Sequence, residues 1–316
     1  MSVPASNSGA SSGARLNLLT GYALAFAGSF LFATKGIFIK LAYAYDIDAI
    51  TLLTIRLLMA TPFFVVIGLI TRYRQRHLDP LPLSLYIKAL LVGMLGYWFA
   101  SYTDFEGLVH LTPQFERLIL FTYPLFVILL GAMFFGHKIK PLALSAFGIS
   151  YAGLAFVFVH DLQVRGDNIV TGAIWVMVSS LTFALYLLLA KPVIKRMGPS
   201  LFTSVAMIGA ALATFVHFGI THELKLPAFT PELFWLCLGL AIGATVLPGY
   251  LINFALARIS SQANAVIGFI NPVITLALSG LILREYITIP DMIGTIMVVT
   301  GVALYTWLDQ RNSQKT

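Results

Sequence analysis

"YTDFEGLVHLTPQFERLILFTYPLFVILLG" (Tyr102–Gly131), set above "YLINFALARISSQANAVIGFINPVITLALS" (Tyr250–Ser279) without a gap, decides how this chain is read. Tyr102 falls on Tyr250, Gln114 on Gln262 and Pro124 on Pro272; further along, Gly153 falls on Gly301. The same kind of alignment lays "FATKGIFIK" (Phe32–Lys40) over "FALYLLLAK" (Phe183–Lys191). Self-similarity at this scale marks a duplicated structural unit. The copies are read as residues 17–160 and 169–308, with a linker at 161–168 and polar tails at 1–16 and 309–316.

Composition places those copies in a bilayer. Hydrophobic residues make up 59% of the chain and charged residues 10%, and the mean hydropathy is +0.88, which excludes a water-soluble globule. A helix needs about 20 mostly apolar residues to cross the hydrocarbon core. After the polar opening "MSVPASNSGASSGA", the first such run spans 17–43, and others follow at 49–70, 83–105, 113–135, 142–160, 171–190, 201–220, 233–257, 263–283 and 287–307. The opening is expected to be disordered and not a signal peptide, because the first apolar run begins too far from Met1 and continues for a full span. Five spans per copy is an odd number, so the two copies enter the membrane from opposite sides. The expected fold is an all-α integral membrane protein of ten transmembrane helices, arranged as two inverted five-helix repeats around a central cavity.

Basic residues give the orientation. With the N-terminus inside, inner loops and tails hold Arg15, Arg72, Arg74, Arg76, Lys138, Lys140, Lys191, Lys195, Arg196, Arg258, Arg311 and Lys315, whereas outer loops hold Lys40, Arg165, Lys225 and Arg284. Positive residues in short loops resist translocation, so both termini are expected in the cytoplasm. The net charge of +7 reports this topology and no nucleic-acid partner, because the basic residues sit at helix ends and form no aromatic-interleaved patch. The lone Cys237 lies in an apolar run and supports neither a disulfide framework nor a thiolate site.

The stretch "RISSQANAVIGFINPVITLALSGLILREYITIPDMIGTIMVVTGVALYT" (Arg258–Thr306) resembles the EamA-type repeat of the drug/metabolite transporter superfamily. The resemblance rests on the small-polar start Ser260–Ser261, the mid-helix Pro272, the helix-end Glu285 and the glycines Gly294 and Gly301. The first half carries the matching Pro124 and Gly153 but has His137 where the family often has Glu. The resemblance runs from about Leu18 to Trp307. It implies a secondary active exporter in a bacterial inner membrane, of the subgroup carrying aromatic and other amino acids and related metabolites. A drug or other small-metabolite exporter of the same superfamily is the nearest alternative, and a membrane enzyme or a channel lies further off. The expected partners are a small-molecule substrate and the bilayer, with the chain acting as a monomer or weak homodimer.

Candidate cavity residues follow from polar stripes on apolar helices. Trp175, Ser179, Thr182 and Tyr186 share one face of the sixth span, and the repeat places Lys35 at the position of Tyr186. An ammonium near the bilayer centre costs about 2.5–3.5 kcal/mol on insertion scales, so Lys35 either borders a cavity or is relieved by snorkelling or an ion pair. Asn264, Gly268, Asn271, Thr275 and Ser279 form a second stripe, read as cavity lining or as close helix packing. Tyr97, Trp98 and Tyr102 on the third span, Tyr250 on the eighth and Trp175 could stack on a flat substrate, although aromatic belts at the membrane surface use the same residues. Arg56, Asp104, Glu116 and Arg117 are intramembrane or near-membrane charges, and Arg56 is expected to pair with Asp104 or Glu116. Glu116 is the candidate for proton coupling. Pro124 and Pro272 each remove a backbone donor within a span and mark kinks or hinges. The histidines have no metal-ligand spacing, and no HExxH, GxxxxGK[ST] or GxSxG motif occurs, so neither a metal, a cofactor nor a catalytic residue is expected.

Overall fold

The computed structural model describes residues 8–76, 80–135, 141–165, 168–223, 229–256, 258–259, 267–268 and 270–313. Among the described residues seven helices are long and apolar enough to cross a membrane: α1 (Leu16–Tyr43), α2 (Ala49–Arg74), α3 (Leu83–His110), α4 (Pro113–Phe134), α6 (Asn168–Met197), α7 (Pro199–Thr221) and α8 (Pro231–Ile252). Between and after them stand α5 (Pro141–Arg165), α9 (Asn271–Leu283) and α10 (Ile289–Ser313), whose described apolar segments are shorter. No strand occurs among the described residues, and the chain is an all-α multi-pass membrane protein. The helix leading into α1 starts at Ser8, inside the stretch expected to be a disordered tail. α5 runs on to Arg165 and α6 starts at Asn168, so helix occupies most of the expected linker, and α10 extends to Ser313 into the expected C-terminal tail.

Local chemistry sets the helix ends. Thr112 and Thr230 each precede a proline at the first helical position, and their side chains accept from the backbone N–H of Phe115 (3.3 Å) and Leu233 (3.2 Å) to start α4 and α8. Asp48 starts α2 by accepting from the Thr51 N–H at 3.0 Å. Thr288 and Asp291 cap α10 reciprocally: the Thr288 N–H donates to Asp291 Oδ2 (2.9 Å) and the Asp291 N–H to Thr288 Oγ1 (3.3 Å). Outward faces carry Leu69, Leu91, Val216, Ile220, Leu281 and Ile296, all exposed, as helices solvated by hydrocarbon require.

Helices pair across the two halves. α1 packs on α8 and α6 on α3; α2 packs on α7 and α5 on α10; α4 meets α6 while α9 meets α1. Exchanging each helix for its counterpart five places along leaves this set unchanged, which is the pattern of a pseudo-two-fold axis. Two wide π-turns, Met94–Phe99 in α3 and Gly239–Val246 in α8, obey the same rule. The offset that places Tyr102 on Tyr250 lays one over the other. π-turns inside helices accompany functional sites, and both of these border the space between the halves.

Two crossings depend on missing side chains. A Cβ on Gly209 would lie 2.5 Å from the Leu90 carbonyl oxygen, and one on Gly93 would overlap the backbone of Ala206, so α3 and α7 touch backbone to backbone. α5 and α10 cross at Gly153 and Gly294, each 3.0 Å from where the other's Cβ would project toward its carbonyl oxygen, and Ser150 Oγ donates to the Val298 carbonyl at 3.2 Å beside them. This pair contributes no residue to the cavity described below.

Candidate functional site

A cavity of about 420 Å³ lies between the halves, with walls from α1, α2, α3, α4, α6, α7, α8 and the residues around the start of α9. Candidates named from sequence, Arg56 of α2 among them, lie on all of these helices except α7, which contributes Phe202, Thr203 and Met207; Phe64 of α2 is a further addition. Most of these side chains read in sequence like ordinary lipid-facing or core residues, which is why periodicity passes over them. At one end lie charged side chains of α1, α2, α3 and α4; at the other the lining reaches Ile194 and Pro199, beside the α6–α7 turn at Gly198, whose φ of 82° is left-handed.

The charged end is built at a break in α1. The helix is interrupted at Thr34, whose Oγ1 donates to the Leu31 carbonyl at 2.6 Å, and Lys35 is the first residue of the segment that resumes. Lys35 Nζ reaches Asp104 Oδ2 on α3 at 2.5 Å, with both side chains buried. Asp104 therefore pairs with Lys35 and not with Arg56, the partner expected from sequence. Arg117 Nε stands 3.7 Å from Oε2 of Glu116, its neighbour in the chain on α4, too far for a hydrogen bond. The Arg56 guanidinium lies 5.4 Å from the Phe105 ring centre, and that of Arg117 5.8 Å from Phe32. Lys35, Arg56, Asp104 and Arg117 line the cavity, whereas Glu116, fully buried, stands behind them.

Aromatic rings form the long wall. Tyr97 on α3 and Tyr186 on α6 meet at 5.1 Å between ring centres, and the Tyr186 hydroxyl donates to the Tyr97 hydroxyl at 3.0 Å. Phe183 stacks on Tyr186 at 5.6 Å and stands edge-on to Tyr123 at 5.3 Å, and Phe202 of α7 continues the stack. Ser179 faces the cavity while donating to the Ala100 carbonyl at 2.7 Å. Asn271 also faces it, and its Oδ1 has no hydrogen-bond partner among the described residues.

Other sequence candidates lie elsewhere. Trp98, Tyr102 and Trp175 gather on the far side of α3: Tyr102 stands 6.2 Å from Trp175 and 4.8 Å from His217 of α7, with Trp98 5.9 Å from the same histidine. The three aromatic residues stand out in sequence, but nothing there brings them together around His217. Thr182 bonds the Val178 carbonyl of its own helix at 2.7 Å. Thr275 donates to the Ala33 carbonyl at 3.2 Å and fastens α9 to α1 beside the break. Asn264 lies outside the described residues. Tyr250 is buried against Phe64, and its hydroxyl is 3.1 Å from Ser204 Oγ on α7. Tyr250→Phe is expected to cost about 1 kcal/mol, the worth of one neutral hydrogen bond, with the cavity unaltered; equilibrium unfolding in detergent measures it.

α4 breaks at Phe121–Thr122, just before Pro124. Proline cannot donate to the carbonyl four residues earlier, and Ser180 of α6 does so in its place, donating to the Leu120 carbonyl at 3.2 Å with Thr122 Oγ1 3.0 Å away. Sequence marks the proline but not the hydroxyl that compensates for it. Pro272 stands at the equivalent place, second in the segment that resumes at Asn271 after a turn at Ile270, with helical Ile267–Gly268 before it.

Comparison with known proteins agrees with this architecture. The model of the EamA-like transporter family matches twice, over residues 19–159 and 170–307. The chain is 29% identical over 289 residues to the uncharacterized transporter YcbK of Bacillus subtilis, covering 87% of this chain and 90% of that one. It is 24% identical over 313 residues to a WAT1-related protein of Arabidopsis thaliana, covering 87% and 86%. A protein of known crystal structure superposes with a TM-score of 0.65 at 16% identity, over 92% of this chain and 97% of that one, a likeness of fold.

Proposed function

Because the chain belongs to the EamA-like transporter family, and so is a membrane transporter of the drug/metabolite superfamily, we propose that its central cavity carries amino acids, aromatic ones included, and related small metabolites out of the cell across a bacterial inner membrane. The observation that supports this reading is the pairing, in one cavity, of an aromatic wall (Tyr97, Tyr123, Phe183, Tyr186) with a charged end (Lys35, Asp104, Arg56). A ring slides against the wall while an ionised group meets the charges. With both termini cytoplasmic, Lys35 and Asp104 lie toward the outer surface and Ile194 and Pro199 toward the cytoplasm, so substrate enters from the inner side. Release outward requires the halves to rock. The break in α1, the gap in α4 and the π-turns in α3 and α8 are the places where helices beside the cavity bend with least loss of backbone hydrogen bonding. The cavity is completed within one chain, so a monomer or a weak homodimer suffices.

Counterflow in proteoliposomes tests the reading. Vesicles loaded with unlabelled phenylalanine are expected to take up labelled phenylalanine transiently and saturably, and to discriminate against aliphatic and cationic amino acids. Flux that rises linearly with concentration and shows no counterflow would mark a channel, and no flux of any amino acid would remove the substrate assignment.

A further inference from the structure

The charges at the charged end of the cavity do not cancel. Lys35, Arg56 and Arg117 are three cations, and Asp104 and Glu116 are two carboxylates; each of the five is 7% exposed or less. With both carboxylates ionised the cluster carries one surplus positive charge, and a proton on either adds another. Lys35 is engaged with Asp104 at 2.5 Å, and Arg117 has Glu116 at 3.7 Å. Arg56 has no carboxylate of its own among the described residues. Its Nε and Nη1 are buried without hydrogen-bond partners there, and its charge rests against the Phe105 ring.

A buried guanidinium with open donors is unfavourable unless an anion completes it, and its planar fork matches a carboxylate. The complementary group is scarce. Among the described lining residues Asp104 supplies the carboxylate, and Lys35 occupies it; Ser179, Thr203, Thr245 and Asn271 are neutral. An incoming ammonium would have to displace Lys35 and would leave the surplus charge in place. An incoming carboxylate neutralises the surplus and fills Arg56.

We propose that the preferred cargo is an aromatic monoanion, a carboxylate on a flat apolar body with no ammonium, and that Arg56 receives the carboxylate. This rests on the cavity being the transport site and narrows the substrate class given above. The charged end then selects by charge and the Tyr97–Tyr186 wall by shape.

The test is counterflow of three labelled probes of similar size in wild-type proteoliposomes: phenylacetate, phenylalanine and phenethylamine. Phenylacetate is expected to exchange about tenfold faster than phenylalanine at equal concentration: both offer Arg56 a carboxylate, but phenylalanine also brings an ammonium that finds Asp104 already paired and is left without a partner. Phenethylamine is expected not to exchange. Arg56→Gln is expected to remove the preference for phenylacetate, and Arg56→Lys to keep part of it, because the charge stays while the fork is lost. Should Arg56→Gln fail to fold, the wild-type ranking decides alone, together with a rise in wild-type Tm on adding phenylacetate and none on adding phenethylamine. Phenylalanine exchanging as fast as phenylacetate, or faster, overturns the monoanion inference and leaves the amino-acid reading standing. Absence of exchange for all three probes overturns both.

Discussion

Asp104→Asn is expected to lower the unfolding free energy in detergent by about 3–5 kcal/mol, the range for removing one partner of a buried ion pair. The substitution strips Lys35 of its 2.5 Å partner and leaves three buried cations facing Glu116 alone. Lys35→Met acts on the same bond with the opposite sign of charge. It brings the cluster to two cations and two carboxylates, and Asp104 keeps Arg56 and Arg117 as neighbours, so its effect is expected to be clearly smaller. The double substitution is expected to recover part of the loss from Asp104→Asn, with a coupling of about 0.5–3 kcal/mol. Chemical unfolding of the three variants measures all of this. Equal effects of the two single substitutions would contradict the surplus positive charge at the cavity end.

Gly93→Val is expected to yield no monodisperse folded protein. A Cβ at residue 93 already overlaps the Ala206 backbone, and a branched side chain would force α3 and α7 apart along the contact that also holds Gly209 to Leu90. Gly93→Ala is expected to cost about 1–3 kcal/mol by overpacking. Gly148→Ala is the counterpart: nothing lies within 4 Å of its Cβ, so only helix propensity remains, and stability is expected to rise by about 0.5–1 kcal/mol. Gel filtration and thermal unfolding in detergent separate the three. A folded, fully stable Gly93→Val would mean that the α3–α7 crossing is looser than described.

Much of this architecture was legible in the sequence because a membrane imposes it. Backbone groups in hydrocarbon must be paired within helices, so apolar runs of the right length can only be spans, and an odd number of spans per repeat can only invert. The site was legible in part. Lys35, Ser179, Tyr186 and Asn271 stood out as polar groups on apolar helices and do face the cavity, because one face per helix is a property of a single segment. Partnership is a property of two segments: Asp104 lies 69 residues from Lys35, and no periodicity connects them. Phe183, Phe202 and Met207 were invisible for a different reason, since an aromatic or aliphatic side chain reads the same whether it faces lipid, core or substrate. Trp98, Tyr102 and Trp175 mark the converse, conspicuous in sequence yet gathered around His217 away from the cavity.

The exchange of partners between halves bears on how the chain is made. Synthesis delivers α1–α5 to the membrane first, while the helices against which α1, α2, α3 and α5 pack, namely α8, α7, α6 and α10, do not yet exist. For that interval the first half stands in lipid with its seams open. The Lys35–Asp104 bond lies wholly inside it, between α1 and α3, and needs no residue of the second half to form. A first half that can pair its own opposite charges has no need of its counterpart to neutralise them in the bilayer, so the bridge beside the cavity is also one that a half-made chain can form by itself.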